Sequence, residues 1–136
     1  MSKLHVNYLG ELRTKGLHIA SNDTFITDAP LDNNGRGEAF SPTDLMSASL
    51  VSCMMTIMGI TAEKHSIEFN SAEAEIEKIM ASDPRRVSEI RIKMHVSGGP
   101  FDQREKAILE NAAKTCPVAR SLHPELVQNI RFSYDS

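Results

Sequence analysis

The 136-residue chain has no tryptophan, and only 5% of its residues are aromatic. Stacking platforms for single-stranded bases need such rings, so that mode of nucleic-acid binding is not expected. Positive charge is also short. Fifteen Lys and Arg stand against 18 Asp and Glu, and no basic cluster exceeds Arg85-Arg86. This argues against a nucleic-acid or anionic-membrane partner. The opening MSKLHVNYLGELRTKG lacks the apolar core and small-residue cleavage site of a secretory leader, which points to a cytoplasmic protein. Cysteine is scarce as well. Cys53 and Cys116 stand 63 positions apart, with no C-x-x-C and no zinc-finger spacing. Neither a structural disulfide nor a zinc site is therefore expected. Two thiols are enough for a redox cycle, although buried thiols also serve simply as small hydrophobes.

What is present is ordinary globular composition, 40% hydrophobic and 24% charged with a formal net charge of −3, at a length that fits one domain over 1–136. Leu4, Val6 and Tyr8 alternate with polar residues and predict a strand; residues 13–20 and 24–28 predict two more, split by Ser21-Asn22-Asp23. Residues 29–41 collect Pro, Asp, Asn and Gly and read as a long loop. Ser41 then offers an N-cap, Pro42 a first helical position, and Asp44 the third member of a capping box.

The helix that follows carries no charge over residues 45–62, an 18-residue window at the lower edge of a membrane span. Hydroxyls at Ser47, Ser49, Ser52, Thr56 and Thr61, and Gly59 within the run, speak instead for a central helix buried on every face. So small a chain rarely encloses such a helix alone, so a partner subunit is expected to cover part of it. Residues 67–81 alternate, Asp83-Pro84 turns, and Ile90, Ile92, Met94 and Val96 alternate with Glu89, Arg91, Lys93 and His95. The pair predicts a long antiparallel hairpin. Asp102 and Glu105 open a second helix, on which Leu109, Ala113 and Cys116 share the core stripe before Pro117 breaks it. Ile130, Phe132 and Tyr134 close the chain as a strand, giving an α+β order.

The run SPTDLMSASLVSCMM at 41–55, joined to TCPVARSL at 115–122, resembles the OsmC/Ohr family of organic hydroperoxide reductases, and the likeness covers essentially the whole chain. The resemblance implies an intertwined homodimer, with antiparallel sheets wrapped around long central buried helices. Each active site would sit at the dimer interface, with both of its cysteines from one chain. It implies a two-cysteine peroxidase of oxidative stress in which Cys53 attacks an organic hydroperoxide and Cys116 resolves the product. No cofactor or metal is implied, and a dihydrolipoyl group or another thiol would return the electrons.

A thiol buried among Leu50, Met54 and Met55 needs a nearby cation to ionise. The family supplies an arginine from the segment before the helix; Arg36 in Asn34-Gly35-Arg36-Gly37 is the first candidate here and Arg13 the second. One departure stands out. The family's reductases hold that arginine with a Glu directly after the helix-starting Pro, a position occupied here by Thr43; Asp44, one residue on, reads as a cap. Met46, Met54, Met55 and Met58 read as core or dimer-seam filler, and His65 and His123 as surface residues. Three functions stay open: a peroxidase, an OsmC-like redox protein of other chemistry, and a non-catalytic dimeric module holding a hydrophobic ligand.

Overall fold

The computed structural model describes residues 3–135. It divides into two compact units, one up to Met46 and one from Ser47 onward.

The first unit is an antiparallel sheet in the order β1 (Leu4–Gly10), β2 (Arg13–His18), β3 (Asp23–Asp28). The turn into β2 uses Gly10, Glu11 and Leu12 at positive φ, and that into β3 uses Asn22 at φ 64°, a backbone region Asn tolerates well. The loop after β3 is not structureless, because Leu31–Asn33 makes a 3-10 turn ending on left-handed Asn34. Gly35 has no room for a side chain: a Cβ there would lie 1.8 Å from the Ala29 carbonyl oxygen. Leu4, Val6 and Tyr8 keep 71%, 58% and 66% of their surface exposed, so this alternating strand presents its apolar side chains uncovered.

α1 (Pro42–His65) begins where the sequence predicts. The Asp44 amide donates to Ser41 Oγ at 3.1 Å, and the Ser41 amide donates to Asp44 Oδ2 at 3.0 Å. That reciprocal box satisfies two donors that a helix start leaves open. The expectation of burial on every face needs correcting for the single chain. Ser47, Leu50, Val51, Met54, Met58 and Ala62 are buried along one stripe, whereas Ser49, Ser52, Thr56 and Ile60 are exposed. The helix has a membrane span's length and hydropathy. Its buried stripe, however, makes it the core helix of this fold.

In the second unit β4 (Phe69–Ala81) and β5 (Arg86–Gly98) form the expected antiparallel hairpin, with Ile76 opposite Ile92 and Ala74 opposite Met94. Ile90, Ile92, Met94 and Val96 are at most 1% exposed, and with Leu50, Met54, Met58, Leu109 and Ala113 they make the core. α2 (Gln103–Lys114) carries the predicted Asp102–Glu105 capping box, and α3 (Pro117–Ser121) follows almost at once. β6 (Val127–Tyr134) runs parallel to β5, so the sheet is mixed rather than purely antiparallel. A parallel neighbour requires a crossover, and α2 and α3 supply it. Tyr134 ties the strand back to that crossover: its hydroxyl donates to Glu110 Oε2 at 2.6 Å, and Lys106 Nζ lies 4.9 Å from the ring centre.

Candidate active site

Cys53 lies on the flank of the buried stripe of α1 and is half-buried, not enclosed among methionines as the sequence suggests. Met54 and Met58 are fully buried, which fits filler, while Met55 is only partly so. Cys116 is fully buried between α2 and α3. Both thiols are free, and the Cys53 thiol is near enough to act on the electrostatics of Cys116.

The Cys-Pro step does more than end a helix. Cys116 takes φ −65° and ψ 156°, the extended backbone that a following proline favours, and Pro117 then starts α3. The Ala119 amide donates to Cys116 Sγ at 3.4 Å. Around it, Arg120 Nε donates to the Thr115 carbonyl at 2.9 Å and Gln128 Nε2 to the Ala119 carbonyl at 3.0 Å. These three residues escape the sequence reading. The only signal for them is that a residue preceding Pro at a helix start is a capping position. Burial pushes the Cys116 thiol up, and the adjoining Cys53 thiol pushes it the same way, against the Ala119 amide, which favours ionisation. Cys116 therefore stays a neutral thiol near pH 7 and is poorly suited to make the first attack.

The two candidate arginines belong to the first unit, where each has a carboxylate partner. Arg36 pairs with exposed Glu11 and is itself about a third exposed. Arg13 is held by Asp28 through two bonds, Nε to Oδ1 at 2.7 Å and Nη2 to Oδ2 at 2.8 Å, with the Asp28 side chain fully buried. The Glu38 amide adds a third donor to Asp28 at 3.3 Å. Thr43 exchanges a 3.3 Å hydroxyl contact with Ser41. Asp44 serves as the cap. His65 and His123 are exposed. Among the described residues no group of three His, Cys, Asp or Glu could hold a metal ion.

Asp28 carries a pH signature. The Arg13 guanidinium holds its carboxyl below the usual carboxylate range, against the opposing effect of burial. A folded value below the unfolded one means that the pair stabilises the fold at neutral pH and that this is lost as pH falls through the lowered value. Asp28→Asn should therefore lower urea stability at pH 7, with the gap to wild type closing below about pH 4. An equal gap at pH 7 and pH 3 would remove ionisation of Asp28 as its cause.

These features define a class: an α+β fold with one cysteine on a long core helix and a second, near enough to interact with it, at the helix break before the last strand. Residues 35–131 match the OsmC-like protein family, and the chain belongs to that family. No curated protein matches it. A solved structure from Psychrobacter arcticus 273-4, described as a proposed osmotic stress induced and detoxification response protein, is 48% identical with a TM-score of 0.91, covering 98% of this chain and 96% of that one. An organic hydroperoxide resistance protein OsmC of Legionella pneumophila shares the fold at 15% identity and a TM-score of 0.72, over 100% of this chain and 97% of that one. The organic hydroperoxide resistance protein OhrB of Bacillus subtilis does so at 15% identity and a TM-score of 0.66, over 98% of each chain.

Proposed function

We propose that this protein is a cytoplasmic two-cysteine peroxidase for organic hydroperoxides, with Cys53 as nucleophile and Cys116 as resolving thiol. The observation that carries the reading is the presence of two free, electrostatically interacting thiols, one half-buried on α1 and one fully buried at the start of α3. The Cys53 thiolate attacks the outer oxygen of ROOH; the O–O bond breaks, the alkoxide leaves and takes a proton as ROH, and sulfur is oxidised to sulfenic acid. The Cys116 thiol then displaces that hydroxyl, which leaves as water, and an internal disulfide forms. A dithiol donor, dihydrolipoyl or another, reduces it by exchange and is itself oxidised to a disulfide.

The test is titration of the reduced protein with cumene hydroperoxide. One equivalent should consume both thiols and leave one intrachain disulfide. Retention of both thiols would favour the redox protein of other chemistry or the ligand-binding module, a choice to which the departure at Thr43 already lends weight.

The thiolate needs a cation, and Arg36 and Arg13 are the candidates. Arg13 is the better fixed, because a bidentate bond to a buried carboxylate restricts it where an exposed ion pair does not.

The working form is a homodimer. The uncovered apolar side chains of β1, and the exposed face of α1 bearing Ile60, support this reading, since apolar area of that kind is uncommon on a monomer. Sedimentation at micromolar concentration should give twice the 15.1 kDa chain mass, and a monomer mass with native spectra would end the proposal.

A further inference from the structure

On the outer face of the second sheet, away from either cysteine in sequence, three side chains meet in an order that the peroxidase reading leaves unused. His95 of β5 and Ser133 of β6 are register partners, and Asp135 follows directly after that strand. His95 Nδ1 lies 2.8 Å from Ser133 Oγ, and His95 Nε2 lies 2.8 Å from Asp135 Oδ1. The Asp135 carboxylate is itself anchored, its Oδ2 accepting from the Gly98 amide at 3.3 Å.

We infer that Ser133, His95 and Asp135 form a hydrolytic triad whose substrates are small activated esters. The tautomer follows from the bonds. Asp135 can only accept, so in the neutral ring Nε2 carries the proton, and the Nδ1 lone pair is left facing the Ser133 hydroxyl. That is the general-base arrangement of nucleophile, imidazole and orienting carboxylate, with the two ring nitrogens exchanged relative to the common order. Ser133 is exposed at the sheet surface, so a substrate can reach it.

Arg131 stands two residues before Ser133 on the same exposed face, paired in register with Lys93, while Glu73 and Glu75 stand opposite His95 and Lys93. These four charges balance, so they set no preference for a charged substrate, and Arg131 is the cation nearest in register for the oxyanion of the acyl-transfer intermediate. In the reaction the Ser133 oxygen bonds to the acyl carbon as its proton passes to Nδ1. The ester C–O bond then breaks, and the leaving alcohol takes that proton. Water, deprotonated by the same nitrogen, releases the acid and restores the serine. No electrons are exchanged and no co-reactant beyond water is required.

The test uses the full-length protein in two assays. A fluorophosphonate probe should label Ser133, located by peptide mass spectrometry, and His95→Gln should cut that labelling at least tenfold. Hydrolysis of 4-nitrophenyl acetate, measured in a background with both cysteines alkylated, should fall at least tenfold in Ser133→Ala. Asp135 acts by positioning. Asp135→Asn should lose as much as His95→Gln, the double variant should lose no more, and Asp135→Glu should recover part of the rate. An unlabelled Ser133, or an unchanged rate in Ser133→Ala, would overturn the inference and leave the three residues as a hydrogen-bonded clasp on the end of β6.

Discussion

Cys53→Ser should abolish hydroperoxide consumption, whereas Cys116→Ser should complete one turnover per chain and stop with a trappable sulfenic acid on Cys53. The asymmetry has a physical basis in the second unit. Cys116 is fully buried, and burial together with the neighbouring thiol holds it in the protonated form that cannot attack a peroxide. Its proton is no handicap in the second step, where it meets the electrophilic sulfenic sulfur formed on Cys53. Cys53 is half-buried on α1 and keeps some access to solvent. Dimedone labelling followed by mass spectrometry reads the first product. Sulfenic acid on Cys116 in Cys53→Ser, with none on Cys53 in Cys116→Ser, would reverse the two roles.

Arg13→Ala should slow the second-order reaction with an organic hydroperoxide by at least tenfold, and by more than Arg36→Ala does. A thiol at its ordinary value is only a few per cent ionised at neutral pH, so each unit by which a cation shifts that balance is worth up to tenfold in rate. The cation must also be held in place. Arg13 has two bonds to a fully buried Asp28, whereas Arg36 has an exposed ion pair with Glu11, of the kind that usually contributes little order. The same contrast bears on Thr43. Where the family's reductases use a carboxylate from the start of the helix, this chain holds Arg13 with one from β3. Thr43→Glu should then change the rate by less than twofold. A severalfold gain in Thr43→Glu, with Arg36→Ala the slower of the two arginine variants, would assign the cation to Arg36.

The elements legible in the sequence are those whose signals are local. Period-two alternation places β5 and its buried Ile90, Ile92, Met94 and Val96 without help from the rest of the chain. Ser41 with Asp44, and Asp102 with Glu105, locate two helix starts because a capping box closes within four residues. The family membership is also legible, because the resemblance rests on two short runs, 41–55 and 115–122, that can be compared residue by residue.

Tertiary structure alone decided the remainder, because it depends on partners distant in sequence. The direction of β6 follows from the crossover through α2 and α3, and alternation is the same for parallel and antiparallel neighbours. Burial of α1 along one stripe was hidden because residues 45–62 are uncharged on every side, so polarity could not say which face packs inward. Arg13 and Asp28 lie 15 positions apart and look like two ordinary surface charges; only the pairing of β2 with β3 joins them and buries the acid. His95 and Ser133, 38 apart, meet for the same reason: strand register, a long-range property, brings together side chains that no local pattern connects.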